Sequence, residues 1–251
     1  MSEPETVLVG MPRRGSELYA GAAKAMYVYP SKNFRVLNGE PESSLITHNC
    51  NLIWVALLNL RRERNIVCAA MIHADVCPEP LWVDKLFSES ESVGADVIAA
   101  VIPFRCPKGL TSTGIGDPNR PYLSRRLTLK EVFERPVTWT EENLLVNTGL
   151  VLFRIGQKDH RANWEERVHW RQSDRIIRRP DGTWKAVCRS EDWDFSQQCR
   201  DQGLTVYATR AVRLWHGDRS WTNAEPWGEY ETDIEHAAAL KELEVPEEVS
   251  A

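Results

Sequence analysis

Two continuous apolar runs of strand length constrain the fold of this chain more than any other feature. The first is Ile66-Val67-Cys68-Ala69-Ala70-Met71-Ile72, and the second, Ala95-Asp96-Val97-Ile98-Ala99-Ala100-Val101-Ile102, is apolar except for Asp96. Neither run alternates between polar and apolar residues. Each therefore predicts a strand buried on both faces, as in parallel sheets covered by helices.

Helices are predicted between the strands of the first hundred residues. Apolar residues at helical spacing predict one helix over residues 43–60, and a second runs from Leu81 to Ser90. The shorter predicted elements are a strand at Val7-Leu8-Val9-Gly10, a helix over 17–26 capped by Ser16, and short strands at Tyr27-Val28-Tyr29 and Phe34-Arg35-Val36-Leu37. This alternation predicts an α/β fold with a mostly parallel central sheet flanked by helices.

The later part of the chain is less regular. Residues 103–127 are rich in Gly, Pro, Thr, Ser and Asn and predict a long loop, of the kind that often covers a binding site. A helical stretch is predicted around Trp164 and Trp170, and a helix from Glu191 to Gln202. Two further strands are predicted at Leu204-Thr205-Val206-Tyr207-Ala208 and Ala211-Val212-Arg213-Leu214-Trp215.

Composition limits the class of protein. The 251 residues suffice for one large domain, and the net charge of −5 offers no overall attraction to nucleic acid or anionic membranes. None of the six cysteines forms a Cys-x-x-Cys pair, which argues against a zinc ribbon or thioredoxin-like site. No signal sequence is visible at the acidic start, and no apolar stretch approaches the ~20 residues of a membrane span. We expect a cytoplasmic protein with reduced thiols.

Four polar segments next to predicted strands or helices carry candidate chemistry: His73-Ala74-Asp75, Asn147-Thr148-Gly149, Ser190-Glu191-Asp192-Trp193-Asp194-Phe195 and Trp215-His216-Gly217-Asp218. In open parallel sheets, ligands bind beyond the carboxyl ends of strands, where Pro12-Arg13 and Asp75 are both predicted to lie. A carboxylate at such a position can hold Mg²⁺ or Mn²⁺ against phosphate oxygens. The alternative is that Asp75 caps the following turn.

Each of the other segments also has a functional and a structural interpretation. Asp192 or Glu191 could take a proton from a hydroxyl, with Trp193 as an aromatic platform for a sugar, or these acids could simply cap a helix. Gly149 within an apolar strand indicates either close approach of a ligand or a bulge. His216 could be a metal ligand as a neutral imidazole, or simply exposed.

The order and spacing of these segments resemble GT-A glycosyltransferases, particularly small family-two-like enzymes of bacteria and phages. The similarity is greatest in the Ser190–Phe195 segment, followed by Gly203-Leu204-Thr205-Val206-Tyr207 and Leu214-Trp215-His216-Gly217. It covers about residues 6–218. It implies a Rossmann-like GT-A domain over residues 1–228, with a nucleotide-sugar half at about 6–103 and an acceptor and catalytic half at about 104–228. Residues 229–251 form an acidic C-terminal tail.

The resemblance implies a donor site at the first strand ends. Pro12 and Arg13 match the corner that touches the nucleotide, and Asp75 matches the last acid of the Asp-x-Asp motif that binds Mn²⁺ or Mg²⁺. His73 stands where that motif has its first Asp, so one negative charge is missing; Ala74 lies between them. His216 matches the third metal ligand that some members carry.

The resemblance also implies the catalytic groups. Gly149, with Asn147 near it, matches the small residue beside the donor sugar. Asp192 matches the catalytic base of inverting members, with Glu191 its neighbour and Trp193 on the acceptor side. The Gln-x-x-Arg-Trp motif of processive synthases is not in the sequence. Transfer of a single sugar is therefore expected. The match of Asp192 favours inversion, and a retaining outcome stays open because the sequence does not show which face the acceptor occupies.

The expected donor is a nucleotide sugar, most simply a UDP-sugar, and the acceptor stays open. A glycan, a lipid-linked sugar, a protein or a modified phage DNA base would each fit, the last through stacking on Trp164, Trp170, Trp184 and Trp193. A phage protein would act in the host cytoplasm. Two alternatives are a nucleotidyltransferase, for which Met11-Pro12-Arg13-Arg14-Gly15 is a faint phosphate loop, and a nucleotide-sugar-binding module without turnover.

Overall fold

The computed structural model describes residues 5–13, 15, 18–61, 63–120, 122–156, 163–179, 181–217 and 220–242. Three predicted features fall outside these ranges: the Ser16 helix cap, Asp218 after the His-Gly pair, and residues 243–251 of the acidic tail.

The described residues form fourteen strands and six α-helices. The strands are β1 (Thr6–Gly10), β2 (Arg35–Gly39), β3 (Ile66–Ile72), β4 (Val76–Pro78), β5 (Val97–Ala100), β6 (Leu110–Ile115), β7 (Arg125–Thr128), β8 (Thr138–Trp139), β9 (Leu144–Leu145), β10 (Leu150–Arg154), β11 (Ser173–Arg178), β12 (Trp184–Arg189), β13 (Val206–Thr209) and β14 (Leu214–His216). The helices are α1 (Ala20–Tyr27), α2 (Ile46–Leu60), α3 (Trp82–Val93), α4 (Leu129–Phe133), α5 (Glu191–Asp201) and α6 (Ile234–Lys241).

A seven-stranded sheet with the order β2-β1-β3-β10-β5-β13-β8 forms the centre of the molecule. Five of its strands run parallel, while β10 and β8 are antiparallel to their neighbours. Three small sheets lie outside it: β7-β6-β9, β11-β12 and β14-β4. The predicted mixed α/β class with a mostly parallel central sheet is confirmed.

The two faces of the central sheet are buried under different helices, which explains the apolar runs. Ala69 and Met71 of β3 pack with α2 residues in one core, and Cys68, Ala70 and Ile72 pack with α1 and α3 residues in the other. Successive side chains of a strand point to opposite faces, so a strand covered on both sides needs apolar residues throughout. None of the helices in the described ranges is long and apolar enough to cross a membrane.

Three predicted elements are wrong. The strand at 27–29 is the end of α1, since the Val28 N–H still donates to the Lys24 carbonyl. The loop at 103–127 contains β6 and the start of β7, where buried Thr111 donates to the Leu127 carbonyl at 2.8 Å and Ser112 to the Ile102 carbonyl at 3.1 Å. The helical stretch near residue 164 is a single 3-10 turn, Trp164–Glu166.

Trp54 of α2 lies at the centre of an aromatic core cluster. The rings of Phe153, Trp164, Trp170 and Phe195 surround it, and Trp170 stacks on Phe195 with centroids 3.8 Å apart. Trp164 and Trp170 are only 0% and 1% exposed. They are therefore unavailable to stack on a DNA base.

Replacing Trp54 by Phe is expected to lower the free energy of unfolding by about 1–3 kcal/mol. Its indole N–H donates to the buried Glu165 carbonyl at 2.8 Å, and the variant leaves that carbonyl unpaired. Urea unfolding measures the change. Trp184→Phe is the control: that ring is 68% exposed, and the same substitution should cost less than about 0.5 kcal/mol. Equal losses in the two variants would contradict the prediction.

Candidate functional site

The carboxyl ends of β1 and β3 and the beginning of β10 meet at one edge of the central sheet. Leu150 of β10 pairs with Ile72 of β3, so the residue before one strand lies beside the residue after the other. The His73 N–H accordingly donates to the Gly149 carbonyl at 2.9 Å. Two predicted site segments, far apart in sequence, are adjacent at the edge where open parallel sheets bind ligands.

A small antiparallel ribbon brings His216 to Asp75. Strand β14 pairs with β4, with His216 opposite Val76, and the Gly217 N–H donates to the Asp75 carbonyl at 2.6 Å. As a result, His216 Nε2 lies 3.1 Å from Asp75 Oδ2. Asp75 thus contacts the predicted metal ligand instead of capping the next turn.

Asp75 is held as a carboxylate. Burial alone would raise its pKa, but the hydrogen bond from His216, followed by the charges of His216, His73 and Arg105, lowers that pKa to about 2. The Arg105 guanidinium lies 3.5 Å from Asp75 Oδ2 and also donates to the Tyr19 hydroxyl. Arg105 was missed by the sequence analysis, because no motif there distinguishes it from other loop arginines.

The orientation of His216 suits a cation-binding pair. Its Nδ1 lies 2.7 Å from the Pro103 carbonyl, which can only accept, so we assign the proton to Nδ1. Nε2 is the nitrogen that faces Asp75: it donates to the carboxylate when protonated and can bind a cation when it is not. Metal-bound histidines are commonly oriented by such a backbone contact. Within the described ranges, no group of three or more His, Cys, Asp or Glu side chains could hold a metal.

A cleft of about 180 Å³ opens above this edge. Its lining residues are Pro12, Tyr19, Ile46, His73, Ala74, Asp75 and Arg105. His73 Nε2 is buried and has no hydrogen-bond partner among the described residues. Arg13 is directed elsewhere, since its guanidinium pairs with Glu40 at 3.0 Å. Of the predicted donor residues, Pro12, His73, Ala74 and Asp75 line one cleft and Arg13 does not.

Asp192 reaches the same sheet edge from the first turn of α5. Its Oδ1 accepts a short hydrogen bond from the hydroxyl of Thr148, the residue before Gly149. Helix α5 begins after Ser190, whose side chain makes no N-cap hydrogen bond, and Asp192 lies in its first turn, where an acid also suits the helix dipole. The Asp192 carboxylate therefore contacts the strand end and lies at the positive end of its own helix.

Asn147 fixes the backbone around Gly149. Its Oδ1 accepts the Gly149 N–H at 2.9 Å, and its Nδ2 donates to the Ala100 carbonyl at 2.9 Å. Oδ1 also accepts the Leu150 N–H at 3.3 Å, so the side chain is committed to three backbone groups. Asn147 shapes the predicted donor site but its amide is already used inside the protein.

Glu191 and Trp193 flank Asp192 in different environments. Burial, followed by the charge of Asp192, raises the pKa of Glu191, while the nearby charge of His73 opposes that rise. Trp193 is 7% exposed and its indole N–H donates to the Ser112 carbonyl at 2.9 Å. Trp193 is therefore largely covered, where an open platform for a sugar was expected.

Gly149→Ala is expected to destabilise the protein by about 1–3 kcal/mol, the usual cost of forcing an extra carbon into a packed site. A Cβ there would lie 2.8 Å from Ile102 Cδ1 and 3.2 Å from His73 Nδ1. Thermal unfolding measures the loss. Gly39→Ala is the matched control, because nothing lies within 4 Å of its added carbon. An unchanged Tm for Gly149→Ala would show that the strand end has spare room.

Comparison with known proteins gives a fold and no family. No family model matches the chain, and no curated protein matches it in sequence. One solved structure with a similar fold is described as the crystal structure of A197 from STIV. It has a TM-score of 0.50 and 13% identity over 84% of this chain and 85% of that chain. At that identity the similarity concerns the fold alone.

Proposed function

We propose that this protein is a glycosyltransferase of the GT-A type, which transfers one sugar from a nucleotide-sugar donor to an acceptor hydroxyl. One observation carries the proposal. Three contacts join the predicted segments at a single sheet edge: Asp75 with His216, His73 with Gly149, and Thr148 with Asp192. A diphosphate-binding group and a second carboxylate thus border the same strand ends.

The donor would lie in the cleft lined by Pro12, Ala74 and Asp75. Asp75 and His216 would hold Mn²⁺ or Mg²⁺, and their carboxylate oxygen and imidazole nitrogen fit such a cation. Two protein ligands leave room for phosphate oxygens, which is how Mg²⁺ is commonly bound with nucleotides. When bound, the metal neutralises charge developing on the diphosphate leaving group.

Two further groups in this cleft fit a diphosphate. The Arg105 guanidinium, now beside Asp75, can donate to phosphate oxygens. The buried, unpartnered Nε2 of His73 can bind a phosphate oxygen or a ribose hydroxyl. Direct contacts from Arg105 and His73 to the diphosphate would make up for the metal-binding acid that is missing at position 73.

Asp192 is the proposed base. Thr148 donates a hydrogen bond to one oxygen of the Asp192 carboxylate. The carboxylate takes the proton of the acceptor hydroxyl while the hydroxyl oxygen of the acceptor attacks the anomeric carbon. The bond from the anomeric carbon to the diphosphate breaks on the opposite face. A single displacement of this kind inverts the configuration of the sugar.

A thermal-shift panel tests the function directly. UDP-, GDP-, dTDP- and CMP-sugars are compared with and without Mn²⁺, and a UDP-sugar with Mn²⁺ is expected to raise Tm by about 5–10 °C at a ligand concentration of about 100 times Kd. Release of nucleoside diphosphate then shows turnover, which a binding module lacks. Pyrophosphate released from a nucleoside triphosphate and a sugar phosphate would favour the nucleotidyltransferase alternative. No shift with any nucleotide sugar would overturn the proposal.

A further inference from the structure

A second cavity, of about 330 Å³, is lined in part by Trp193. Its other walls come from the segment around Tyr122 and β7, from β12 and from α6. The lining residues that matter for binding are Tyr122, Arg126, Lys185 and Trp193. None of these side chains takes part in the proposed transfer mechanism.

Arg126 is held rigidly at this cavity. Its guanidinium carbon lies 4.4 Å from the Phe104 ring centroid and 4.6 Å from the Trp193 centroid, so the cation contacts two aromatic rings. Its backbone N–H donates to Asp233 Oδ2 at 2.9 Å. These contacts fix both the backbone and the side chain of Arg126.

The charged groups next to Arg126 already have ion-pair or hydrogen-bond partners, whereas the Arg126 guanidinium has no carboxylate partner among the described residues. Lys185 pairs with Glu242, Glu235 pairs with Lys108, and the Asp233 carboxylate accepts backbone N–H groups. Among the described residues, no carboxylate lies within ion-pair distance of the Arg126 guanidinium. A partly buried cation without an anionic partner is costly, and a bound anion removes that cost.

The cavity is also close to the proposed base. Trp193 follows Asp192 directly in α5, and the charges of Asp233 and Asp192 act on Arg126, opposing the fall in its pKa that burial causes. A molecule bound at Arg126 would therefore lie near Asp192.

We propose that this cavity binds the acceptor as an anionic saccharide, whose carboxylate or phosphate group is held by Arg126. The planar guanidinium fork matches either oxyanion, and the Tyr122 ring at the cavity wall offers apolar surface to the sugar. A polyanion such as DNA is disfavoured, because Asp233 and Glu235 line the same cavity and the chain carries a net charge of −5. The inference names the acceptor class of the proposed transferase and rests on that function.

Calorimetry without donor or metal tests the inference. Methyl β-D-glucuronide carries a carboxylate and glucose 6-phosphate carries a phosphate. Methyl β-D-glucoside is the neutral control. At least one anionic sugar is expected to bind more tightly than the neutral sugar. The Arg126→Gln substitution should weaken the binding of that anionic sugar about 10- to 100-fold. Arg35→Gln, which changes an exposed arginine on the edge strand β2, should leave binding unchanged.

Arg126→Lys and a salt titration cover the case in which Arg126→Gln fails to fold. Lysine keeps the charge but loses the fork, so binding should fall between the wild type and the Gln variant, and wild-type binding should weaken as salt rises. Equal binding of the neutral sugar, no binding of either anionic sugar, unchanged affinity in Arg126→Gln, or displacement by a DNA oligonucleotide would each overturn the inference. A thermal-shift measurement with a UDP-sugar on the same protein sample tests donor binding. It therefore shows whether the proposed function fails independently of the inferred acceptor site.

Discussion

Asp192→Asn is expected to reduce turnover of the donor about 10²–10⁴-fold while leaving donor affinity nearly unchanged. General-base catalysis contributes rate factors of that size, and an amide cannot take the acceptor proton. Thr148 can still donate to the amide oxygen of Asn, so the local geometry should survive. Turnover is followed as nucleoside diphosphate release, and donor affinity by calorimetry.

Asp201→Asn is the matched control, because Asp201 lies exposed at the other end of the same helix. It should retain wild-type turnover. If Asp192→Asn keeps full turnover, the base lies elsewhere, and Glu191, whose pKa is raised beside it, becomes the first residue to test. If Asp192→Asn instead loses donor affinity alone, Asp192 belongs to the donor site and not to the chemistry.

Asp75→Asn is expected to weaken Mn²⁺-dependent donor binding by at least about 100-fold and to remove turnover with it. Loss even of groups that support a metal ligand typically costs 10–100-fold, and here the ligand itself is replaced. The change also removes the anionic partner of His216 and Arg105. Donor titrations with and without Mn²⁺ separate the loss of the metal from the loss of charge balance.

Asp174→Asn on β11 is the control for charge alone, since Asp174 is exposed and distant in sequence from every proposed ligand. It should bind donor and Mn²⁺ as the wild type does. Wild-type activity in Asp75→Asn would overturn the metal assignment. Donor binding that is weakened equally with and without Mn²⁺ would instead assign the phosphate contacts to Arg105 and His216 without a metal.

Residue order alone determined the class of fold and the position of two strand ends. The apolar runs at 66–72 and 95–102, the second broken only by Asp96, predicted a sheet covered on both sides, and that signal is local, because the apolar residues of such a strand face one core or the other. His73 and Asp75 could be placed at a strand end for the same reason. Polar residues at 110–115 hid strand β6, since their hydrogen-bond partners come from β7 and elsewhere.

Tertiary structure alone decided which of the candidate residues meet. His216 reaches Asp75 only because β14 pairs with β4, and Asp192 reaches the sheet edge through Thr148, contacts that no local pattern specifies. The same long-range packing directed Arg13 to Glu40, placed Arg105 beside Asp75 and enclosed Trp193 against Arg126. The sequence of the His-Ala-Asp segment therefore predicted one candidate ligand, Asp75, while the side chains that contact it were set by strand pairing between distant parts of the chain.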